Sequence, residues 1–176
     1  MNTLNKIISV SAISLLSAQA LAASDGSLGA DSTGTSDLSL TIADRVQVTG
    51  MDDIALGAYS GSGTMTGESE FCVYRNGADD YRLTLTTDQG SFAVASATTL
   101  DSIAFSASID DDTDASDGES MTYNTASAVA LTGSSSLTCG GGSNAALEVS
   151  FAEAALQAAS SANDYQATVT VFVEPI

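Results

Sequence analysis

The clearest pattern in the chain is a run of alternating polar and apolar residues at positions 34–42, Gly-Thr-Ser-Asp-Leu-Ser-Leu-Thr-Ile. Successive side chains of a β-strand point to opposite faces, so Leu38, Leu40 and Ile42 would share one face of a strand. The preceding residues, 24–32, are rich in Gly, Ser and Asp and have little apolar surface. The pattern predicts a β-strand on a loose tether, which can pair with its own sheet or with the sheet of another molecule.

The rest of the chain also alternates in short segments separated by turn residues, which predicts an all-β fold. The segments recur about every ten residues, as is typical of a β-sandwich in a single domain. Residues 151–160 are rich in Ala, Glu and Gln and predict either a short helix or a loop. Pro175 lies beyond the last predicted strand, so no proline interrupts the sheets. The predicted strand segments are 46–48, 54–57, 69–74, 81–86, 92–95, 103–109, 128–131, 136–139, 147–151 and 165–173.

The first 22 residues have the features of a secretory signal peptide. Lys6 supplies a positive charge, residues 7–16 form a short apolar stretch, and Ala20-Leu21-Ala22 is a small-residue cleavage site. The apolar stretch is too short for a membrane anchor. We therefore expect export of a mature chain that begins at Ala23 and is not inserted in a membrane.

The chain carries 22 acidic and 4 basic residues and no histidine, a formal net charge of −18 at pH 7. Cleavage of residues 1–22 removes the only lysine, so Arg45, Arg75 and Arg82 are the remaining cations. A surface this acidic repels nucleic acid and anionic membranes, and we expect neither as a partner. The acidic residues are expected to form a solvated coat that keeps the protein soluble.

Two cysteines, Cys72 and Cys139, remain after the predicted cleavage. An even number of cysteines in an exported protein predicts a disulfide. Closing a loop of this length would stabilise the fold by about 4 kcal/mol in the chain-entropy model. The chain has no CxxC motif, so a redox or metal-binding role is not expected.

The residue inventory offers little for catalysis or for a cofactor. Without histidine or lysine in the mature chain, Ser-His-Asp, Cys-His and Ser-Lys systems have no base, and zinc sites of the His/Cys type lack ligands. No glycine-rich loop lies between a strand and a helix, so nucleotide binding is not indicated. Paired carboxylates could hydrolyse glycosides, but chance pairs are expected among 22 acids. We predict no enzyme activity and no cofactor.

Residues 110–119, Asp-Asp-Asp-Thr-Asp-Ala-Ser-Asp-Gly-Glu, form an acidic cluster of the kind that suits calcium. Aligned as an EF-hand loop, Asp110, Asp112 and Asp114 take the first, third and fifth positions. Ala115 then stands where glycine is needed and Met121 where the bidentate glutamate is needed, so the motif fails. The three aspartates are weak calcium candidates, and a hydrated loop is the simpler interpretation.

Three short motifs resemble the spore coat protein U-like family of secreted β proteins, which includes the pilins of archaic (Csu-type) chaperone–usher pili. The motifs are Thr-Gly-x-x-Asp-Leu-x-Leu-x-Ile at 33–42, a hydrophobic-x-hydrophobic-Gly element at 54–57, and Tyr-x-x-Thr-Val-Thr-Val-x-Val at 165–173. The similarity in kind covers most of the mature chain. The family usually pairs a cysteine of the first core strand with one in the next, but residues 45–48 lack the first cysteine.

The resemblance implies an immunoglobulin-like β-sandwich over residues 44–176 that lacks its last strand, preceded by a tail and donor strand over residues 23–43. Leu38, Leu40 and Ile42 would insert into the groove of the next subunit by donor-strand exchange. The implied partners are neighbouring copies in a homopolymer, a periplasmic chaperone and an outer-membrane usher. The implied location is the periplasm and then a cell-surface fibre, and the implied function is a structural pilus or fimbrial subunit in adhesion or biofilm formation.

An alternative follows if residues 34–42 close the sandwich of their own chain. The protein would then be a free-standing secreted acidic β-sandwich that binds surface glycans or matrix. In this alternative the binding could depend on calcium held by the loop at 110–119.

Overall fold

The computed structural model describes residues 23–176, so the predicted signal peptide at 1–22 lies outside the described residues. The chain divides into two units, one that ends at Ile42 and one that runs from Ala43 to Ile176. Within the described residues, no helix is long and apolar enough to cross a membrane.

The second unit consists mainly of short antiparallel strands. Its elements are β1 (Val46–Thr49), β2 (Met65–Arg75), β3 (Asp80–Thr87), β4 (Ala93–Ala95), β5 (Ser102–Ala104), β6 (Ser106–Asp110), β7 (Glu119–Ser120), β8 (Leu131–Thr132), β9 (Ala145–Phe151), α1 (Glu153–Ala158) and β10 (Val169–Pro175). The strands form a five-stranded sheet of order β1-β2-β9-β6-β7, a three-stranded sheet of order β10-β3-β8, and the pair β4-β5. The prediction of an all-β fold is confirmed.

One hydrophobic core contains side chains from all three sheets. β2 contributes Phe71 and Val73, and β3 contributes Leu83 and Leu85, all of them 0% exposed. These positions alternate along each strand, because a strand turns every second side chain to the same face. Burying each such side chain stabilises the fold by about 1.5–3 kcal/mol. The alternation that predicts the strands is therefore also the pattern that builds the core.

The predicted strand at 103–109 is divided in the structure. β5 pairs with β4 whereas β6 pairs with β9, so the chain changes sheets at Phe105. At this corner the Phe105 N–H donates to the carbonyl of Phe92 at 3.0 Å, and the two rings stack with centroids 5.5 Å apart. The alternation of buried side chains continues through the corner. A period-two pattern therefore cannot reveal that the chain changes sheets there.

The predicted strand at 136–139 is wrong, because this part of the chain turns into a 3-10 segment at Cys139–Gly141. Gly140 has a φ of +69°, a conformation that glycine adopts without strain. The predicted disulfide between Cys72 and Cys139 is confirmed, and it ties this turn to β2. Of the strand predicted at 128–131, only Leu131 lies in a strand, because β8 consists of Leu131 and Thr132.

The predicted last strand at 165–173 begins later and ends later than expected. β10 carries the ladder with β3, while Gln166 makes a separate bridge to Ala95. Pro175 lies within β10, opposite Tyr81, and not beyond the strand. Because β10 is an edge strand, the missing N–H of proline can face away from the ladder.

Asn144 completes the hydrogen bonding of β2 next to the start of β9. Its Oδ1 accepts the N–H of Val73 at 2.7 Å, and its Nδ2 donates to the carbonyl of Val73 at 3.2 Å. The same Nδ2 donates to the carbonyl of Thr132 at 3.2 Å. A side-chain amide offers both a donor and an acceptor, so asparagine can take the place of a backbone unit here.

Replacing Asn144 with aspartate should destabilise the fold, because a carboxylate cannot donate to the carbonyls of Val73 and Thr132. We expect the free energy of unfolding to fall by about 1–3 kcal/mol, because two hydrogen bonds worth about 0.5–1.5 kcal/mol each are lost, as measured by urea denaturation at pH 7. Asn163→Asp makes the same change at an exposed position and should shift stability by less than about 0.5 kcal/mol. Equal effects of the two substitutions would contradict this role of the Asn144 amide.

Candidate functional site

Two edge strands of different sheets lie close together without pairing. β1 is the outer strand of the five-stranded sheet, and β10 is the outer strand of the three-stranded sheet. Cα atoms of the two strands approach within 8 Å, yet no ladder joins them among the described residues. Both edges therefore keep backbone groups to which another strand can bond.

The chain on either side of this gap lines a groove with alternating apolar side chains. β1 and the residues that follow it form the first wall, and residues 165–168 with β10 form the second wall. Alternation turns every second side chain toward the core. Of these side chains, Ile54 and Leu56 on the first wall and Tyr165 and Ala167 on the second line an open cavity. Val46, Val48, Val169 and Val171 are partly buried against the core.

The inward side chains of both walls are only half-buried. Val171 lies opposite Leu85 in the β3–β10 ladder, and Leu85 is 0% exposed while Val171 is half-exposed. The difference arises because β3 has a strand on both sides and β10 has one on a single side. Apolar area left in contact with water costs free energy, so the groove is an unfilled part of the core.

The groove includes a cavity of about 940 Å³ lined by residues of 53–59 and 159–167. Its remaining lining is apolar and comes from separate elements, namely Met65, Val94, Ile103, Phe151 and Leu156. A cavity of this size and character can take up a row of apolar side chains.

After β1 ends, the first wall continues alongside β2, but it does not join the hydrogen-bond ladder of β2. The structure assigns no strand to residues 50–64, so the predicted short strand at 54–57 is wrong. The backbone N–H of Asp52 donates to the hydroxyl of Ser69 at 3.1 Å and not to a backbone carbonyl. Gly67 of β2 leaves space for this wall, since a Cβ there would lie 2.5 Å from Ile54 Cγ2.

Two aspartates fasten the second wall to the connection between β4 and β5. Asp164 accepts the hydroxyl of Ser96 at 2.5 Å and both the N–H and the hydroxyl of Thr98 at 3.0 and 2.8 Å. Asp101 accepts the N–H of Ser160 at 2.8 Å. These contacts fix the segment that leads from α1 into β10.

The helix α1 and the side chain of Tyr165 complete the second wall. α1 confirms the helical alternative for residues 151–160, and its Leu156 lines the cavity. The hydroxyl of Tyr165 donates at 3.1 Å to Asp101 and at 2.8 Å to the carbonyl of Ser160. The tyrosine ring can therefore line the cavity while its polar end stays bonded.

The hydrogen bonds to these carboxylates lower the pKa of both aspartates. The largest cause is the N–H of Ser160 for Asp101 and the hydroxyl of Ser96 for Asp164. Several donors aimed at one carboxylate stabilise its charged form. The second wall is therefore held by ionised side chains.

The N-terminal segment presents the predicted donor side chains to solvent. Leu38, Leu40 and Ile42 are 98%, 84% and 72% exposed. The structure assigns no strand to residues 36–45. These three residues belong to no sheet of the described residues. The segment therefore has apolar side chains at alternate positions and no partner strand.

The calcium candidates of the acidic loop bond to the loop itself. Asp112 accepts the N–H of Asp114 at 2.7 Å, and Asp114 accepts the N–H and hydroxyl of Ser116 at 3.1 and 2.5 Å. Burial is the main cause that raises the pKa of Asp110, whereas the hydroxyl of Ser116 lowers that of Asp114. Across residues 23–176, no group of three or more His, Cys, Asp or Glu side chains is arranged to hold a metal ion.

No family model matches this sequence, and no curated protein matches it significantly. Its function therefore has to be inferred from the groove and the N-terminal segment.

The sequence pattern identifies the candidate donor side chains but not the cavity. Met65, Phe151 and Leu156 belong to three elements, and each is an ordinary apolar residue in its own segment. The available signal was the alternation at 54–56 and at 165–171, which predicts one inward face on each segment. That the two faces line one open groove becomes evident only in three dimensions.

Gly67→Ala should displace the first wall, because its Cβ would collide with the side chains of Ile54 and Leu56. We expect the free energy of unfolding to fall by about 1 kcal/mol, a typical cost of overpacking, as measured by urea denaturation. Gly142→Ala is the control, since the nearest atom to its Cβ is the Cys139 carbonyl oxygen at 3.8 Å. A more stable Gly67→Ala protein would show that the wall does not need this space.

Acid should loosen the second wall. The pKa values of Asp101 and Asp164 are lowered in the folded chain, so their contribution to stability is complete above the usual value of about 3.9 and is lost as the pH falls through the folded values. We expect the amide protection factors of Ser160 and Thr98 to fall more than that of Leu83 when the pH is lowered to about 2.

Asp164→Asn should reproduce the loss of protection at Thr98 at pH 7, because the amide resembles the protonated acid. Asp117→Asn, at an exposed position without a side-chain hydrogen bond among the described residues, should leave Thr98 unchanged. Protection at Thr98 that does not depend on pH or on Asp164 would refute the prediction.

Proposed function

We propose that this chain is a structural subunit of a surface pilus or fimbria of the chaperone–usher type. Its domain would be an incomplete immunoglobulin-like sandwich, and residues 34–42 of a second copy would fill the groove between residues 53–59 and 159–167. The proposal rests on two complementary apolar features, a groove and a segment, neither of which has a partner strand among the described residues. The groove has half-buried alternating apolar walls, and the N-terminal segment has exposed alternating apolar side chains.

Filling the groove would remove both apolar surfaces from water. Burying Leu38, Leu40 and Ile42 would contribute about 1.5–3 kcal/mol each. Associating two chains costs roughly 4–15 kcal/mol at a 1 M standard state, so the three side chains alone are comparable with that cost. The walls would add their own remaining apolar area, and a strand in the groove could form hydrogen bonds with the free edge of β10.

The other edges of the two larger sheets are poor acceptors for an added strand. β7 and β8 are the outer strands at the far sides of their sheets, and each is two residues long. β7 also follows directly on the acidic loop. Short edges next to charged residues resist strand addition, whereas β10 offers seven residues.

The proposal gives the chain a structural and not a catalytic role. After export by the predicted signal peptide, a periplasmic chaperone would cover the groove, and an outer-membrane usher would exchange it for the segment of the next subunit. An uncovered apolar groove is prone to aggregation, which supports the need for such a partner. A role in adhesion or biofilm formation follows from the family resemblance.

Two substitutions at adjacent positions test the proposal in the mature chain, residues 23–176. Leu40→Asp puts a carboxylate on the inserting face of the segment, and Ser39→Asp puts the same group on the opposite face. We expect the wild-type chain and Ser39→Asp to run as SDS-resistant ladders that collapse on boiling. Leu40→Asp should lower the oligomer fraction at least about tenfold, because burying an unpaired carboxylate costs several kcal/mol.

Two results would contradict the proposal. One is a stable wild-type monomer in size-exclusion chromatography that shows no ladder on electrophoresis. The other is a Leu40→Asp chain that assembles as completely as Ser39→Asp.

A further inference from the structure

Residues 43–45, where the N-terminal segment joins the domain, are held by the side chains of Arg75 and Asn76. The amide of Asn76 donates to the carbonyl of Ala43 at 3.1 Å and accepts the N–H of Arg45 at 2.8 Å. Nη1 of Arg75 donates to the carboxylate of Asp44 at 2.8 Å. Three successive residues are thus bonded to the end of β2, and we call this set of contacts the clasp.

Arg75 connects the clasp to both large sheets. It ends β2 in the five-stranded sheet, and it donates to the carbonyls of Asp80 at 3.4 Å and Ile176 at 3.3 Å, at the ends of β3 and β10. Its side chain is only 4% exposed, and a charge this buried needs partners. Gly133 makes room for it, since a Cβ at that position would collide with Arg75 Cβ.

We propose that the clasp fixes the root of the N-terminal segment, so that successive subunits of a fibre are joined without a flexible linker. This inference rests on the proposed function, because it concerns the segment inserted into the next copy. Ile42 is the last inserting side chain and Ala43 is the first residue held by the clasp, so no free residue lies between them. Domains joined by several free residues reorient readily, whereas a joint without free residues is stiff. Arg75 and Asn76 act as positioning residues.

Load along a fibre would also pass through the clasp. A pull on the segment reaches Asp44 and Ala43 first, and through Arg75 it reaches the ends of β2, β3 and β10. Sharing the load between two sheets protects the single edge strand β1, which would otherwise carry it alone.

The test uses Asp44→Ala and Asn76→Ala in the mature chain, with Asp117→Ala as the matched control. Asp117 is exposed and makes no side-chain hydrogen bond among residues 23–176. The measurement is the spread of the angle between successive subunits in electron micrographs of assembled fibres. We expect the spread to at least double for the two clasp variants and to stay unchanged for Asp117→Ala.

Two further measurements separate a positioning role from a structural one. The free energy of unfolding of each variant is measured by urea denaturation, since Asp44→Ala leaves the buried Arg75 charge without its carboxylate partner. The angular spread is then compared at a temperature at which every variant is fully folded. The affinity of each variant for a synthetic peptide of residues 34–42 should stay within about twofold of wild type, because the clasp is not part of the groove. If Asn76→Ala fails to fold, Asp44→Asn is measured in its place.

The outcomes distinguish this inference from the proposed function. If wild-type fibres form and the clasp variants have the same angular spread as Asp117→Ala, the clasp inference is overturned and the proposed function stands. If the wild-type chain forms no fibre and its groove does not bind the peptide, the proposed function is overturned. The clasp inference, which rests on it, then falls as well. A clasp variant that folds and binds the peptide but no longer assembles would support the clasp as the part that presents the segment.

Discussion

The gap between β1 and β10 is the constraint on which the rest of this structure depends. Within the described residues, β1 and β10 lie side by side without a ladder. The segment that follows β1 and the segment that precedes β10 line an open apolar cavity. Elsewhere the core is closed, as the fully buried side chains of β2 and β3 show. Burial of this apolar surface is therefore favourable, and the entry of another apolar strand would bury it. The proposed assembly is the simplest way to satisfy it.

If the groove receives a strand as proposed, it has to keep its shape before the strand enters. The first wall keeps its distance from β2 through Gly67 and the hydroxyl of Ser69, and the second wall is held by the carboxylates of Asp101 and Asp164. These are polar contacts at the rim, and they leave the apolar floor free. Preorganisation of this kind lowers the cost of binding, because the walls do not have to be ordered when the partner enters.

Arg75 and Arg82, two arginines of the described residues, serve the internal structure. Arg75 pairs with Asp44, and Arg82 donates to the carbonyls of Ser127 and Ala128. The remaining surface is strongly acidic, with a formal charge of −18 for the whole sequence. Like charges oppose random contact between copies, so association is favoured only where apolar burial and backbone hydrogen bonds outweigh the repulsion. The groove and the segment at 34–42 are the features that meet this condition.

The sequence by itself determined the all-β class, the disulfide and the inward faces of most strands, because these follow from period-two alternation and from cysteine number. It also identified Leu38, Leu40 and Ile42 as one apolar face. Only the tertiary structure decided that the chain changes sheets at Phe105, that residues 54–57 form no strand, and that a side-chain amide at Asn144 replaces part of a ladder. The tertiary structure alone shows that residues of 53–59 and 159–167 line the same cavity. The reason is physical: alternation records which way a side chain points, but whether a neighbouring strand covers it depends on contacts between residues far apart in the chain.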